Sequence, residues 1–335
     1  MNPRDRFAAV IAGEQPDLVP VIPVLDGYFA PRLTGRKNDE CWLDGACMAE
    51  ALAEGLRRLG CDGVVAEMGL GENPNVLGCP LEVRGHQVPL VVDTLVNGPE
   101  DLTKIKVPDP WAEGKMEPVQ QLVEAAGDSV VIGSVRSPFE FAATVRGLIG
   151  FMTDFYGNPG LVRDLIDACF PATVTLGLAL AGSGVDALVI KDSFASSSMI
   201  SPGHYLEFAF PSEVEAVKEL GGRLPVILHV CRNSLPILPD MARTGAAVLE
   251  IDSPVDLIKA REAVGSAVVL KGNIDAVGVI EKGSRADVES AVRAALEAAK
   301  PGGRFILSTG DSIPSSAPEE NVAALVEFGR EFGKY

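Results

Sequence analysis

Positive charge, histidine and cysteine are all scarce in this sequence. Its 335 residues contain 29 lysines and arginines against 46 aspartates and glutamates, for a net charge of −17, with three histidines and six cysteines. Such a charge repels a phosphate backbone and an anionic membrane surface, so neither nucleic acid nor a membrane is an expected partner. Six cysteines are too few for a disulfide scaffold at this length, which leaves core packing, surface thiols or metal ligation.

Two kinds of apolar segment are also missing. Residues 1–17 carry charges throughout and lack the apolar core of roughly 7–15 residues that a signal peptide needs. No uninterrupted apolar run approaches the roughly 18 residues of a membrane span. We therefore expect a cytoplasmic protein. Hydrophobic residues still make up 47% of the chain, which is enough to bury a large core and excludes a disordered chain.

Short apolar segments alternate with longer helical patterns along the whole chain. Several are apolar at successive positions, as parallel strands buried on both faces are. The eight segments are residues 19–25, 63–67, 130–134, 187–192, 225–230, 248–252, 268–273 and 304–309. Alternating strands and helices predict right-handed βαβ crossovers and a parallel sheet. Eight such units predict a (β/α)8 TIM barrel, with a doubly wound open sheet as the alternative.

One stretch departs from this alternation. Residues 75–96 alternate apolar and polar residues around the turn residues Arg84 and Gly85 and show no helical pattern. We interpret this stretch as a β-hairpin inserted after the second strand. The helical pattern resumes after it, so we predict a single domain over residues 1–335 that contains the hairpin.

The residues that end the apolar segments are the candidates for function, because the active site of a TIM barrel lies at the carboxyl ends of its strands. Here they are mostly polar: Asp26, Glu67, Ser134, Arg136, Asp192, His229, Cys231, Glu250, Asp252, Asn273 and Asp311. Carboxylates are rarely fully buried without partners, so such a ring indicates a metal, a hydrogen-bonded substrate or exposure to solvent. For any one of these residues alone, an ordinary solvated loop position is the simpler explanation.

The most specific local feature is the His229-x-Cys231 pair, at the end of segment 225–230. Side chains at i and i+2 of a strand point to the same side, so imidazole and thiolate can bind one cation, although core packing also explains such a pair. A catalytic zinc site needs a third protein ligand as well. The other histidines and cysteines are expected to be surface or structural residues: His86, His204, Cys41, Cys47, Cys61, Cys79 and Cys169.

Residues 225–275 (beginning PVILHVCRN) and 302–328 (beginning GGRFILSTGDS), together with residues 4–24 at the amino end, resemble the uroporphyrinogen decarboxylase superfamily. Residues 4–24 are similar to the family's opening helix and first strand, so the resemblance covers nearly the whole chain. It implies a TIM barrel and one of two activities. One branch decarboxylates tetrapyrroles, and the other comprises zinc-dependent methyltransferases that exchange methyl groups with a corrinoid protein.

The segment after the first strand separates the two branches. The decarboxylases carry an arginine-rich RQAGR motif there, which holds substrate carboxylates, whereas residues 25–32 of this chain read LDGYFAPR. A site that offers Asp26 instead of arginine, in a chain of net charge −17, is poorly suited to an octacarboxylate. The chain therefore resembles the methyltransferase branch better.

That branch binds zinc through a His-x-Cys pair on the fifth strand and a cysteine after the eighth. His229 and Cys231 match the pair, and Asp311 in STGDS stands where the branch has its last cysteine. Aspartate is itself a zinc ligand, so the resemblance implies a site of His229, Cys231 and Asp311, with Glu67 or Glu250 as a fourth ligand when substrate is absent. A carboxylate is harder than a thiolate and leaves zinc a stronger Lewis acid that prefers oxygen.

These features predict a corrinoid-dependent methyltransferase that performs O-demethylation. A methyl group would pass from a small methoxylated donor to the corrinoid (cobalamin) of a partner protein, with zinc polarising the ether oxygen. Three alternatives stay open: methyl transfer from methyl-cobalt to a thiol or a pterin, a cofactor-free decarboxylase, and a non-catalytic subunit that docks a corrinoid protein. Self-association of the chain as a homo-oligomer is also left open.

The remaining candidates follow from their positions at the barrel mouth. Asp192, Asp252 and Asn273 are expected to line the pocket as catalytic residues. The substrate-binding candidates are Asp26, Tyr28, Phe29, Glu67 and Glu250. Tyr28 and Phe29 would either stack on an aromatic donor or pack as ordinary residues of the barrel rim.

Overall fold

The computed structural model describes residues 1–67, 74–82 and 90–335. Nine strands lie in these residues: β1 (Gly63–Ala66), β2 (Leu81–Glu82), β3 (Leu90–Val91), β4 (Val130–Arg136), β5 (Ala187–Lys191), β6 (Val226–Val230), β7 (Val248–Ile251), β8 (Val269–Ile274) and β9 (Phe305–Thr309). Seven form one parallel sheet in the order β1-β4-β5-β6-β7-β8-β9, and β2 pairs with β3. The predicted α/β class is confirmed by this curled parallel sheet and its helical crossovers.

The α-helices of the described residues connect the strands and cover the sheet. They are α1 (Pro3–Ala12), α2 (Ala30–Leu33), α3 (Asn38–Cys41), α4 (Gly45–Leu59), α5 (Glu117–Ala126), α6 (Pro138–Arg146), α7 (Leu148–Gly157), α8 (Pro159–Gly182), α9 (Pro202–His204), α10 (Phe210–Gly221), α11 (Leu238–Arg243), α12 (Leu257–Val264), α13 (Arg285–Ala299) and α14 (Glu319–Phe332). Local signals set their ends. At α4, the Asp44 carboxylate accepts hydrogen bonds from the N–H groups of Ala46 and Cys47, and Gly60 ends the helix with a φ of 64°.

The segment predicted as the first strand, residues 19–25, is not a regular strand. Val21 forms only an isolated parallel bridge to Leu307 of β9. The reason is chemical, because Pro20 and Pro23 have no N–H to donate and therefore interrupt any ladder of hydrogen bonds. The prediction of a regular strand was wrong here, although the segment does lie beside the sheet where the first strand was expected.

This proline-containing segment lies between the two edges of the parallel sheet. On one side, the N–H of Ile22 donates to the carbonyl of Leu307 in β9 at 2.9 Å. On the other side, the N–H of Val65 in β1 donates to the carbonyl of Leu25 at 3.0 Å. Both edge strands of the sheet are thus hydrogen-bonded to the same seven residues.

Both faces of the parallel sheet are buried, which explains the continuous apolar runs in the sequence. One face forms a cluster to which every strand of the sheet contributes: Val65, Ile132, Val189, Ile227, Val248, Val269 and Ile306 are all buried there, together with Phe7 and Val10 of α1. The other face packs against the helices in a larger apolar cluster. Within the sheet, the side chains available for function therefore lie at the strand ends.

The hairpin predicted over residues 75–96 lies partly outside the described residues. Leu81 pairs with Val91 and Glu82 with Leu90 in an antiparallel register. The predicted turn at Arg84 and Gly85 lies outside the described residues, and so does His86. The antiparallel pair follows β1 in the chain, and the inserted hairpin as a whole stays a prediction.

Helix α8 is long and apolar enough to cross a membrane by length and composition alone. Half of its apolar window is buried within the protein, and it packs against α6, α7, α10 and β4. These contacts are those of a core helix. In the sequence, the charged residues Arg163, Asp164 and Asp167 interrupt its apolar run.

Two cysteines that were predicted to be merely structural are bonded to each other. Cys41, the last residue of α3, and Cys47, in the first turn of α4, form a disulfide with their Cα atoms 5.1 Å apart. The short connection between α3 and α4 brings the two residues together, and the helical patterns around them gave no sign of it. The other cysteines predicted to be structural, Cys61, Cys79 and Cys169, are free and buried.

Candidate active site and metal centre

A cleft of about 630 Å³ opens at the carboxyl ends of the parallel strands. Its lining consists of Tyr28, Glu67, Arg136, Leu148, Lys191, Ser193, Phe194, Met199, His229, Cys231, Arg232, Asp311, Ser312 and Pro314. Most of these residues follow or end β1, β4, β5, β6 or β9, so several strands contribute to one site. Tyr28 follows residues 19–25, and Leu148 begins α7. The volume is in the range of clefts that bind small molecules.

Three of the lining residues form a cluster of metal-ligating side chains. One ligand atom each from His229, Cys231 and Asp311 lies within 4.8 Å of the other two. His229 Nε2 is 3.1 Å from Cys231 Sγ, because the two side chains leave the end of β6 on the same side. Asp311, just past β9, is oriented by the Ser312 N–H, which donates to its Oδ1 at 2.7 Å. An imidazole, a thiolate and a carboxylate that converge in this way fit a zinc ion.

A buried ion pair lies behind His229. Glu250 Oε1 is 3.2 Å from His229 Nδ1, and Glu250 Oε2 accepts a short hydrogen bond from Lys271 Nζ. Lys271 is fully buried and also donates to Ser308 Oγ at 2.9 Å. Burial opposes ionisation of Glu250, but the charge of Lys271 and the side-chain contact with His229 outweigh burial and hold the pKa of Glu250 well below its usual range. Glu250, expected as an alternative fourth ligand, thus lies beside the outer ring nitrogen of the candidate ligand His229.

The other predicted fourth ligand, Glu67, forms an ion pair with Lys191. Lys191 Nζ donates to Glu67 Oε2 at 2.7 Å and lies 3.8 Å from Asp26 Oδ2. Burial would raise the pKa of Glu67, but Lys191 lowers it below its ordinary value. Burial and the charge of Glu67 raise the pKa of Asp26 well above its ordinary value. Asp26 itself is fully buried and accepts from Ser312 Oγ at 2.5 Å.

Cations are concentrated in the cleft although the chain as a whole is strongly acidic. Arg136, Lys191 and Arg232 all line it. Arg136 pairs with Glu140, and Lys191 pairs with Glu67. Within the described residues, the guanidinium of the exposed Arg232 has no hydrogen-bond or ion-pair partner, and it stands next to Cys231.

Arg232 has a backbone conformation that favours glycine. Its φ is 60°, and it is the one non-glycine residue with positive φ in the described chain. Asp252 holds this conformation, because its Oδ2 accepts from the Arg232 N–H at 2.7 Å and its Oδ1 accepts from the Ser253 N–H at 2.6 Å. Strained residues of this kind concentrate at functional sites.

The three residues predicted to line the pocket as catalytic groups lie outside its lining. Asp192 is fully buried, where its Oδ2 accepts from Ser137 Oγ at 2.6 Å. Asp252 is engaged with backbone N–H groups of two loops, and Asn273 Nδ2 donates to the Val255 carbonyl at 2.6 Å. These strand-end polar groups are hydrogen-bonded within the protein, and their role as catalytic residues stays a prediction.

The predicted substrate-binding residues divide in the same way. Tyr28 and Glu67 line the cleft, whereas Asp26 and Glu250 lie beneath it. Phe29 is fully buried in the apolar core and lies outside the cleft lining. Tyr28 packs edge-on against Trp42, with ring centroids 5.4 Å apart. His204, predicted to be a surface residue, is half-buried in a cluster of aromatic rings.

Asp192 and Glu213 form a second pair of buried acids. Tyr205 OH donates to Glu213 Oε2 at 2.5 Å, and Glu213 is fully buried. Burial raises the pKa of Glu213 to about 7. Burial together with the neighbouring Glu213 raises the pKa of Asp192 well above its usual range. These acids lie behind the loop that carries Ser193 and Phe194 into the cleft.

Sequence reasoning missed two lysines that organise the site: Lys271, which is fully buried, and Lys191, whose side chain is 12% exposed. Lys191 stands in ALVIKD and Lys271 in VVLKGN, and both are charged residues within otherwise apolar runs. A lysine is almost never fully buried without a partner, so each predicts a carboxylate on a neighbouring strand. The sequence therefore carried a signal for both ion pairs, although it did not identify the acidic partners.

Comparison with known proteins places these observations in a family. The sequence matches the family model described as uroporphyrinogen decarboxylase (URO-D) over residues 2–332. It is 29% identical over 341 residues to a protein of Methanosarcina mazei named methylcobamide:CoM methyltransferase MtbA, covering 99% of this chain and 98% of that protein. It is 31% identical over 219 residues to the chloroplastic uroporphyrinogen decarboxylase 2 of Arabidopsis thaliana, covering 62% of this chain and 54% of that one.

A solved structure shares the fold over its full length. It is described as a methyltransferase from Methanosarcina mazei and superimposes with a TM-score of 0.87, covering 99% of both chains at 24% sequence identity. At this identity the superposition establishes the fold.

Proposed function

The chain belongs to the uroporphyrinogen decarboxylase family, and from this premise we propose that it is a metal- and corrinoid-dependent methyltransferase. The observation that carries the proposal is the convergence of His229, Cys231 and Asp311 on one point of the cleft. A cofactor-free decarboxylase has no use for a thiolate and an imidazole at ligating distance. The relatives that match over nearly the full length of this chain are named methyltransferases, which supports the same branch.

We also propose that the sheet closes into a (β/α)8 barrel. Residues 19–25, the first segment in chain order, would lie between β9 and β1 and complete the set of eight strands. The hydrogen bonds from this segment to both β1 and β9 support closure. The single family match across residues 2–332 supports one domain over residues 1–335, with an inserted hairpin that includes β2 and β3. The cytoplasmic location expected from the sequence stays a prediction.

His229, Cys231 and Asp311 would hold the metal ion, for which zinc fits the donor set best. A zinc ion bound there would act as a Lewis acid on an oxygen or sulfur atom of the substrate. Glu250, whose Oε1 lies 3.2 Å from Nδ1, would hold the His229 ring from behind with Nε2 towards the cleft. Lys271 keeps Glu250 ionised, and the Ser312 N–H fixes Asp311.

The cations of the cleft indicate a small substrate that carries an anionic group. Lys191 is held protonated, because Glu67 and Asp26 outweigh its burial and raise its pKa well above the ordinary value. Together with Arg136 and Arg232 it offers hydrogen-bond donors to a carboxylate or sulfonate. Such a group would be oriented here while its reacting atom lies near His229 and Cys231, which are part of the same cleft lining.

The direction of transfer has two candidates. The carboxylate ligand Asp311 favours an oxygen atom at the metal, and hence a methoxylated donor whose methyl group passes to the corrinoid of a partner protein. The names of the full-length relatives favour the second candidate, transfer from a methylcobamide to a thiol. In either direction the corrinoid supplies or accepts the methyl group, while the residues of this chain bind and orient the small substrate.

The test starts with the metal content of protein purified without added metal, compared with a His229→Ala variant. We expect near-stoichiometric zinc in the wild type and its loss in the variant. The metal-loaded protein is then assayed by cobalamin absorbance in two mixtures: methylcobalamin with a small anionic thiol, and reduced cobalamin with a methoxylated aromatic acid. Turnover in one mixture and not the other establishes the direction.

Two results would contradict the proposal. Release of carbon dioxide from a porphyrinogen by metal-free protein would assign the chain to the decarboxylases. Binding of a corrinoid protein without methyl transfer in either mixture would indicate a docking subunit without catalysis.

A further inference from the structure

An exposed apolar patch adjoins the cleft. Ile149 and Tyr156 of α7 are 85% and 81% exposed, the highest values among the exposed large hydrophobic side chains of the described residues. Met199, on the loop after β5, is 41% exposed. With Leu148 and Met152 they line one open depression, and we name these five residues the rim patch (Leu148, Ile149, Met152, Tyr156 and Met199). Contiguous apolar surface of this kind marks interaction sites.

The rim patch is a fixed surface, because α7 is anchored from its other side. Phe151 and Phe155 point into the core, where Phe155 stacks on Phe208 with ring centroids 4.8 Å apart. The ion pair from Arg146 to Asp154, at 2.8 Å, ties α7 to the end of α6. The exposed side chains therefore belong to the outer face of a well-packed helix.

The rim patch is continuous with the cleft. Leu148 and Met199 line both the cleft and the depression beside it. The cleft, at about 630 Å³, suits a small substrate, whereas a cobamide is much larger than the ligands that such volumes enclose. A cobamide that reacts with a molecule inside the cleft must rest on the rim. Its corrin ring has an apolar, methyl-bearing edge, which matches a rim of isoleucine, leucine, methionine and tyrosine.

We propose that the rim patch binds the corrinoid ring during methyl transfer, on the side of the cleft formed by the segments after β4 and β5. The inference rests on the proposed function and adds the place where the large reactant is held. The rest of the ring, with its polar amide groups, would remain accessible to the protein that carries it. The small substrate would be held independently by the cations of the cleft.

The test measures binding of methylcobalamin to the metal-loaded full chain by equilibrium dialysis, together with the KM values for methylcobalamin and for the small substrate. The variant Ile149→Ser with Tyr156→Ser is compared with Ile258→Ser, which changes an isoleucine that is 56% exposed on α12, outside both cavities. We expect the double variant to raise the Kd and KM for methylcobalamin on the order of tenfold. The KM for the small substrate and the binding by Ile258→Ser should not change.

The outcomes separate this inference from the proposed function. Wild-type turnover with unchanged methylcobalamin binding in the double variant overturns the rim patch and leaves the methyltransferase intact. No binding and no turnover in the wild type overturns both. Equal losses in Ile258→Ser would show a general effect on the fold and overturn the assignment. A wild-type dimer that becomes monomeric in the double variant would assign the patch to self-association instead.

Discussion

Glu250 and His229 are coupled through the ring nitrogen that faces away from the candidate metal ligands. Glu250 Oε1 lies 3.2 Å from Nδ1 of His229, while Nε2 of the same ring lies 3.1 Å from Cys231 Sγ. A carboxylate at one ring nitrogen fixes the tautomer and leaves the lone pair on the other nitrogen available for a metal. In the proposed metal site, Glu250 would therefore strengthen metal binding through His229 without contacting the metal itself.

Replacing this carboxylate should weaken metal binding. We predict that Glu250→Gln lowers zinc affinity roughly 10- to 100-fold, as the loss of such supporting carboxylates generally does. Competition with a chromogenic chelator measures the change directly. Retention of wild-type affinity in Glu250→Gln would show that the ring is oriented by something else.

The same substitution also affects stability, which calls for a matched control. Glu250→Gln leaves Lys271 buried without its counter-charge, at an expected loss of roughly 3–5 kcal/mol in the free energy of unfolding. Combining it with Lys271→Met removes both charges and should recover most of that loss. Zinc affinity should stay low in the double variant. If stability and zinc affinity recover together, the effect of Glu250 on the metal is only a consequence of unfolding.

Asp311 should decide which substrate atom the site prefers. We predict that Asp311→Cys keeps the metal, lowers activity on a methoxylated donor and raises activity with a thiol, because a second thiolate makes the metal a weaker Lewis acid. Asp311→Ala is the control and should lower zinc affinity at least tenfold. Relative kcat/KM values on the two substrate types give the result. An unchanged ratio in Asp311→Cys would remove the argument for an oxygen-bearing substrate.

Much of the sheet could be predicted from the sequence, because both of its faces are buried. Seven of the eight predicted strands form the parallel sheet, and apolar runs such as residues 225–230 mark them directly. The uroporphyrinogen decarboxylase family and its methyltransferase branch are also confirmed. Residues 19–25 do not form a regular strand, because Pro20 and Pro23 cannot donate hydrogen bonds. Both prolines are evident in the sequence.

The candidate site was predictable where strand geometry alone determines it. His229 and Cys231 are two residues apart at the end of β6, so their convergence follows from the period of a strand. The structure brings Asp311 to them as well, and its role as a ligand stays a prediction. The position of Asp311 beside β6 depends on the closeness of strand ends in a curled sheet, which no local pattern encodes.

Partners of buried polar groups could not be predicted from sequence. A strand-end carboxylate such as Asp192 or Asp252 has the same local signature whether it faces a substrate or a loop N–H. Asp252 holds the backbone of Arg232, twenty residues away in the chain, through a hydrogen bond that only the three-dimensional structure reveals. Position at a strand end therefore identifies candidates without assigning their roles.

Replacing Arg232 should change substrate binding without lowering stability. A non-glycine residue with a φ of 60° carries a strain of roughly 1–2 kcal/mol. We therefore predict that Arg232→Gly keeps or slightly raises the free energy of unfolding, because glycine adopts this conformation without strain. The KM for an anionic substrate should rise roughly tenfold or more, since the charge-assisted hydrogen bond is lost.

The measurement pairs urea unfolding with KM values for an anionic substrate and its neutral methyl ester. Arg232→Lys is the control, because it keeps the charge in the same strained backbone and should recover much of the affinity. Equal effects of Arg232→Gly on the acid and the ester would show that Arg232 does not recognise the anionic group.

Glu213 should make the stability of the protein depend on pH. Burial raises its pKa from the ordinary 4.5 to about 7, with Tyr205 and Asp192 as its polar neighbours. Between pH 4.5 and about pH 7, Glu213 is therefore protonated in the folded protein and ionised in the unfolded chain. Stability contributed by this proton is fully present below about pH 4.5 and is lost as the pH rises towards 7, amounting to about 3 kcal/mol over the window.

Glu213→Gln removes this titration while its amide can still bond to Tyr205 and Asp192. We predict that the free energy of unfolding of the variant, relative to wild type, increases between about pH 5 and about pH 8 by a few kcal/mol. Urea unfolding at several pH values measures it. Glu215→Gln, on the exposed face of the same helix α10, changes the same functional group and should leave the pH dependence as in the wild type. Parallel curves for Glu213→Gln and wild type would show that Glu213 ionises in the folded protein as readily as it does in the unfolded chain.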